Sequence, residues 1–285
     1  MILSQALYLV NRTLSAAKVD DAHTEAELLL CYTLEISNVQ LYSEPERRLS
    51  ATEIKQLHNF VQRRLSHEPT AYILKRCQFY GIDFYIDHRA LIPRPETELL
   101  VEKTVEFAQR RYPSGNQLVI VDVGTGSGVI AISLALALPE ARIYATDISP
   151  SALQVADINR RHYEEVSDRI KLLQGNLLDP LPESVNIIVA NLPYIKNCEL
   201  QTLSPEIINF EPVSALASGE DGLDKIRCLL SQALEKMHAA GCLLLEVGHD
   251  QGETVSSIAN SQFTQATIEL IPDLSGINRV VKITL

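Results

Sequence analysis

The sequence predicts an α/β protein: a doubly wound, mostly parallel sheet preceded by a small helical bundle. Three observations carry this. From Leu118 onward, β-branched apolar runs alternate with helical stretches, the pattern of strands joined by crossover helices. Before residue 70, apolar residues recur at helical spacing. Between the two regions, residues 78–86 read as two short strands around a Gly/Asp turn.

In the first region, Leu3, Leu7, Val10 and Leu14 share one helix face. Ala22, Ala26, Leu29 and Leu30 share another, after Asp20 and Asp21 as cap residues. A third helix is announced by Ser50 and Glu53, which form a capping box, with Leu49 and Ile54 as the hydrophobic staple across it. Leu57, Val61 and Leu65 continue its stripe, and Glu68-Pro69 interrupts the pattern. These signals divide the chain into a helical domain over 1–75, a hairpin linker over 76–95 and a sheet domain over 96–285. Strands are expected at 118–123, 142–146, 170–174, 185–190 and 242–247, with a terminal pair near 266–271 and 278–284. Helices are expected at 128–138, 150–161, 222–239 and 249–260.

With 285 residues, 46% apolar and 21% charged, the chain has an ordinary globular composition and core enough for one large and one smaller domain. Its formal charge of −11 is unevenly placed. Residues 1–90 carry 10 basic and 11 acidic side chains, which leaves 15 basic and 25 acidic on the remainder. An acidic domain gains no counterion-release affinity for phosphate backbones, so a protein or small-molecule substrate fits better than nucleic acid. The five cysteines are widely spaced without a CxxC pair, and they read as free thiols in a reducing cytoplasm. The N-terminus lacks a basic export signal, and the longest nearly apolar run, Val129 to Leu138, is too short to span a bilayer. The seven histidines have no ligand partner at i, i+4 spacing, so no metal is expected. Arg63-Arg64 and Arg160-Arg161 read most simply as solvated helix faces.

Ligands of open α/β sheets bind beyond the carboxyl ends of the strands, and three such ends are unusual. The first is Asp122-Val123-Gly124-Thr125-Gly126-Ser127-Gly128, where glycines let the backbone turn sharply and approach a ligand. Its spacing is neither the GxGxxG fingerprint nor a GxxxxGK phosphate loop, and a merely tight strand-to-helix turn explains it equally well. The second is Asp147, placed to accept hydrogen bonds from a ribose diol. A capping role is the alternative, but Ser149-Pro150 already supplies cap and first-turn residues. The third is Asn191-Leu192-Pro193-Tyr194, which alone would read as an Asn-Pro turn.

Together these ends resemble a class I S-adenosylmethionine-dependent methyltransferase, with NLPY in the place of the NPPY motif of amino-methylating members. That resemblance implies a Rossmann-like seven-stranded sheet. NLPY also resembles the motif of ribosomal-RNA adenine dimethyltransferases. Further segments narrow the family: LIPRPETE over 91–98, Phe210-Glu211-Pro212, Asp221-Gly222-Leu223, LLLEVG over 243–248, and Gly276 with Arg279-Val280-Val281. With them the whole chain is similar to the HemK/PrmC family, the protein-glutamine N5-methyltransferases of peptide chain release factors. RPETE favours the release-factor branch over a relative that modifies a ribosomal protein.

The resemblance implies S-adenosylmethionine as cofactor and the glutamine of the GGQ loop in class I release factors as methyl acceptor. It implies that Gly124, Thr125, Gly126, Ser127, Gly128, Asp147, Asn176, Leu177 and Asn191 contact the cofactor. Asn191, Leu192, Pro193 and Tyr194 would carry catalysis and hold the glutamine amide, and Arg94 and Glu96 would line the substrate entrance. A surface ion pair with helix capping is the alternative for the last two. The helical domain would help engage the protein substrate, with no direct nucleic acid, no membrane and a monomeric chain. Two rivals stand beside this reading. An adenine-N6 methyltransferase calls for a basic substrate face or an added recognition domain, and the charge distribution indicates neither. A silent S-adenosylmethionine-binding module would have no use for the Asn191 carboxamide.

Overall fold

The computed structural model describes residues 1–112 and 118–285. By their contacts these form two compact units, Met1–Lys75 with Ser204–Phe210, and Arg76–Leu203 with Glu211–Leu285.

The first unit holds α1 (Leu3–Ala16), α2 (Ala22–Leu34), α3 (Asn38–Ser43), α4 (Ala51–Leu65) and α5 (Thr70–Leu74). The residues that share a face in the sequence form its core: Leu3, Val10 and Leu14 of α1 against Ala26, Leu29 and Leu30 of α2 and Leu57 and Val61 of α4. The predicted capping box opens α4. The Glu53 amide donates to Ser50 Oγ at 3.2 Å, and the Ser50 amide donates to Glu53 Oε2 at 2.6 Å. Two of the four orphan amides of a helix start are satisfied in this way.

The basic pair on α4 departs from expectation, because Arg64 is 2% exposed rather than solvated. Its Nε donates to Glu25 Oε2 at 2.7 Å and its Nη2 to Glu206 Oε1 at 2.6 Å, while Nη1 is buried without a partner. A guanidinium can leave water only where carboxylates meet it. Here they come from 39 and 142 residues away in the chain, which a local charge pattern does not reveal. Arg160 likewise is not simply solvated, since it pairs with Asp157 and donates to the carbonyls of Ser167 and Ile170.

The second unit begins with a hairpin of β1 (Cys77–Phe79) and β2 (Ile82–Phe84). Phe79 and Phe84 are buried among Leu100, Ile132 and Leu134, so by its packing the hairpin is part of this unit's core. There follow α6 (Glu98–Arg111), β3 (Leu118–Val123), α7 (Val129–Ala137), β4 (Ala141–Asp147), α8 (Pro150–His162), α9 (Glu164–Ser167), β5 (Ile170–Gln174) and β6 (Val185–Ala190). After α10 (Pro205–Phe210), which belongs to the first unit, come α11 (Asp224–Lys236), β7 (Met237–Glu246), α12 (Gly252–Gln262), β8 (Thr267–Pro272) and β9 (Asn278–Thr284).

The strands form one sheet in the order β5-β4-β3-β6-β7-β9-β8, parallel from β5 to β7 and antiparallel at β9 and β8. All six residues of β3 are buried, as expected of a parallel strand covered on both faces. β7 starts five residues before the predicted 242, in place of a helix running to 239. Met237 pairs with Val185 across a register shift, so tertiary pairing overrides a His-Ala-Ala-Gly stretch with no strand character of its own. The chain leaves β3 toward β4 and β5, then returns to β6 on the other side. The crevice between β3 and β6 is therefore the topological switch point, where a ligand site is expected. Among the described residues, no helix is long and apolar enough to cross a membrane.

Replacing Arg64 by alanine should leave Glu25 and Glu206 without their common cation. The expected loss is about 3 kcal/mol of stability, the low end for breaking a buried pair because both carboxylates retain some water. Denaturant unfolding measures this directly, and an unchanged midpoint would show that the cluster is energetically neutral.

Candidate active site

Asp122 sits at the carboxyl end of the central strand with its side chain out of reach of solvent. Its Oδ2 accepts from Thr125 Oγ1 at 2.6 Å and from the Ala131 amide at 3.2 Å, while Oδ1 is buried without a partner. The carboxylate thus ties the glycine loop to the first turn of α7. Burial pushes its carboxyl up to about 7, the charge of Asp147 adds to this, and the two hydrogen bonds oppose it.

Anchoring the loop from below sorts its residues. Thr125 and Ser127 are buried, facing away from the cleft, and Gly128 packs against Ala156. Gly124 and Gly126 line the cleft. Gly124 has φ +73°, and a Cβ there would stand 3.1 Å from Leu192 Cδ2. Glycine is required both by the left-handed backbone and by the close approach of the Asn191 loop.

Asp147 ends β4 and also lines the cleft. Its Oδ2 accepts from the Gly126 amide and its Oδ1 from the Ser149 amide, each at 2.8 Å. Ser149 caps α8 by accepting from the Ala152 amide, so Asp147 joins the loop to the helix entry without being the cap itself. Burial raises its carboxyl, and the amide bonds oppose the rise. Each oxygen has a further lone pair for a ligand hydroxyl. Asn176 and Leu177 line the same cleft, Leu177 with φ +50° and its side chain in the core.

Asn191 follows β6 and faces the cleft. Its Nδ2 gives one of its two hydrogens to the buried Thr97 Oγ1 at 2.9 Å, which fixes the carboxamide and leaves Oδ1 able to accept from a ligand. Leu192 and Pro193 line the cleft beside it, Leu192 with its side chain also in the core. Tyr194 lies behind, outside the cleft lining. Its carbonyl accepts from Gln251 Nε2 at 2.9 Å, its ring packs on the core, and burial pushes its phenol up to about 12.

Arg94 and Glu96 are not in the cleft lining. Arg94 Nη2 donates to Glu211 Oε1 at 2.6 Å, and Glu211 is buried. This pair ties the segment before α6 to residues 211–215, from which Pro212, Ser214 and Ala215 reach the cleft. Glu96 is exposed. Sequence reasoning gave no role to Thr97, Glu211 or Asp122, which support the cleft through Asn191, Arg94 and the glycine loop. Asp122 carried a usable signal, an acidic residue at the end of an apolar strand. Among the described residues, no cluster of three or more His, Cys, Asp or Glu could hold a metal ion.

The cleft is lined in large part by apolar side chains, Leu91, Ile148, Leu177, Leu192 and Pro193 among them, with a few polar groups between, as small-molecule sites are. It combines glycine backbone, a strand-end carboxylate with lone pairs to spare and a carboxamide oxygen at the switch point of a seven-stranded sheet, which defines a class I S-adenosylmethionine-dependent methyltransferase. A methyltransferase from Pyrococcus furiosus shares the fold, with a TM-score of 0.53 at 14% identity over 79% of this chain and 98% of that one. Residues 5–74 match the family model of the PrmC N-terminal domain, and residues 103–219 that of the ribosomal protein L11 methyltransferase (PrmA). The release factor glutamine methyltransferase of Koribacter versatilis is 36% identical over 99% of this chain and 98% of its own length. That of Moorella thermoacetica is 38% identical over 98% and 97%. The chain belongs to the family of release factor glutamine methyltransferases.

The Asp122 carboxyl predicts a pH dependence of stability. In the unfolded chain it titrates near 3.9, and in the fold at about 7. Between these values the folded state holds a proton that the unfolded state has lost, so stability is greatest below the range and declines as pH rises through it. Asp122→Asn keeps an oxygen for Thr125 and Ala131, and its melting temperature should decline less steeply than that of the unsubstituted protein. Parallel slopes would show that Asp122 does not hold that proton.

Proposed function

We propose that the protein transfers the methyl group of S-adenosylmethionine to the side-chain amide nitrogen, N5, of the glutamine in the GGQ motif of class I peptide chain release factors. The observation that carries this reading is the Asn191 carboxamide, whose nitrogen is committed to Thr97 and whose oxygen is left to the cleft. The naming of the Koribacter and Moorella relatives, matched over nearly their full length, supports the choice of acceptor.

The residues present fit the cofactor. Asp147 has lone pairs free for ribose hydroxyls, and Gly124 and Gly126 admit close approach of a ligand to the backbone. Asn176 and Leu177 complete that end of the cleft. When bound, S-adenosylmethionine supplies an electrophilic methyl group on a sulfonium.

The remaining work falls to the protein. An amide nitrogen is a poor nucleophile because its lone pair is delocalised into the carbonyl. Asn191 Oδ1 accepts one N–H of the glutamine amide, and the main-chain carbonyl of Leu192 accepts the other. Two acceptors there favour a pyramidal nitrogen on which positive charge develops, and they fix the direction of its lone pair. Leu192 stands where the family more often has proline, but the required group is a carbonyl that leucine also has. Leu192, Pro193 and Ala215 give this end of the cleft an apolar lining that limits water. No strong base is required before transfer, because the nitrogen gives up one of its two protons to water once it is methylated and positively charged. The helical unit adds surface for the protein substrate, the chain acts as a monomer, and the site of action is the cytoplasm.

Two substitutions separate the assigned roles. Asn191→Ala should lower turnover on a release factor on the order of 100-fold while leaving S-adenosylmethionine affinity by calorimetry little changed. Asp147→Ala should raise the cofactor dissociation constant about tenfold, as loss of hydrogen bonds to a charged group implies. Unchanged turnover in the first variant contradicts the amide clamp, and an unchanged constant in the second makes Asp147 purely structural.

A further inference from the structure

Lys225 stands in the first turn of α11 and lines the cleft, yet the proposed reaction gives it no part. Its amide donates to the buried Ser218 Oγ at 3.0 Å, which fixes the turn, and its side chain is half-buried. Among the described residues, none forms an ion pair or a hydrogen bond with its ammonium. Arg89, the other cation of the lining, is engaged by contrast: Nε and Nη2 donate to Asp87, and Nη1 donates to Gln154 at 3.0 Å. An ammonium brings three N–H donors, and once a ligand displaces water from the cleft they need an acceptor on it.

The packing of α11 decides which part of a ligand Lys225 meets. Gln232 lies seven residues on, two turns along the same helix face. Its Nε2 donates to Asp179 Oδ1 at 2.8 Å, and its Oε1 accepts from the Leu178 amide at 2.9 Å. Leu223 and Ile226, which flank Lys225 in sequence, share a core with Leu177. α11 thus runs beside the turn after β5, and its start reaches the cleft at the end to which Asn176 and Leu177 belong. Asn176 is oriented as well. Its Nδ2 donates to Asp179 Oδ2 at 3.3 Å, which leaves Oδ1 able to accept. No side chain of the lining is aromatic, so a base at this end gains no stacking partner and is selected by its edge.

We propose that Lys225 is a further cofactor-binding residue: its ammonium donates to a ring nitrogen of adenine beside the exocyclic amine, while Asn176 Oδ1 accepts from that amine. The proposal rests on the reading of the cleft as an S-adenosylmethionine site. Adenine carries its amine between two acceptors, N1 and N7, so either edge offers one donor beside one acceptor. A carboxamide oxygen and an ammonium at the same end of the cleft match that pattern. The charge is also better placed there. The sulfonium is positive and the acceptor nitrogen becomes so, and an unpaired ammonium beside Asn191 would oppose both.

The test is binding calorimetry on the full chain with S-adenosylhomocysteine, which carries the same adenosine and undergoes no transfer. Beside it stand its 1-deaza and 7-deaza analogues, in which CH replaces one ring nitrogen. The unsubstituted protein is expected to bind one analogue on the order of tenfold more weakly than the parent, the scale of a lost hydrogen bond to a charged group. The analogue affected distinguishes N1 from N7. Lys225→Met should weaken the parent by the same factor and leave the constant for that analogue unmoved, because the contact is already missing. Lys225→Arg keeps a cationic donor and should recover most of the loss. Equal affinity of the unsubstituted protein for the parent and both analogues overturns the proposal, and that result depends on no variant folding. Unchanged parent affinity in Lys225→Met overturns it too. So does an equal loss for all three ligands, which would put the ammonium on the carboxylate of the amino-acid tail, or a change confined to KM for a release factor, which would put it on the protein substrate. An unsubstituted protein that binds no S-adenosylhomocysteine refutes the reading of the cleft instead, so the two failures are distinguishable.

Discussion

A carboxylate without access to water holds the reactive edge of the sheet together. Asp122 binds Thr125 and the Ala131 amide from beneath, and so turns the inner side chains of the glycine loop away from the cleft and leaves its glycine backbone toward the ligand. The position of Gly126 lets its amide reach Asp147. The position of Gly124 lets Leu192 pack within van der Waals reach, and Leu192 follows Asn191, the residue proposed to hold the substrate amide. The proposed cofactor and acceptor ends are thus built against each other across the crevice between β3 and β6.

That edge carries an unusual concentration of buried acid. Asp147 and Glu246 each end a strand and Asp122 stands one residue before the end of another, and burial raises the carboxyl of each. Such groups lower stability at neutral pH, and neither Asp122 Oδ1 nor Glu246 Oε2 is compensated by a partner. Apolar residues would pack there at lower cost. The acids instead supply direction, because an ionised carboxylate only accepts and so imposes one polarity on every donor attached to it. Beyond the edge, Arg94 with Glu211 fixes the segment that carries Pro212, Ser214 and Ala215 to the cleft.

The legibility of these features in the sequence follows the range of the interactions behind them. The α4 capping box, the stripes on α1 and α2, the β-branched strands and the Ser149 cap are local, and each is found where the residues predict it. The place of Asp147 at the end of β4, free of the capping duty, was legible because the strand end and the neighbouring cap are both local signals. Arg64 was misread because its carboxylates come from distant parts of the chain, and the start of β7 because pairing with Val185 outweighs a weak local pattern. Thr97 stood inside a segment that carries the family resemblance, yet its hydrogen bond to Asn191 exists only once β6 and the turn before α6 are brought together.

The central claim is that the amide held at Asn191 is the glutamine of the GGQ motif. Intact-mass analysis of an unmethylated class I release factor, incubated with the protein and S-adenosylmethionine beside a control whose GGQ glutamine is replaced by alanine, tests it most directly. The account predicts a gain of one methyl group in the first protein and none in the control. A gain in both, or in neither while calorimetry reports bound S-adenosylmethionine, would contradict it.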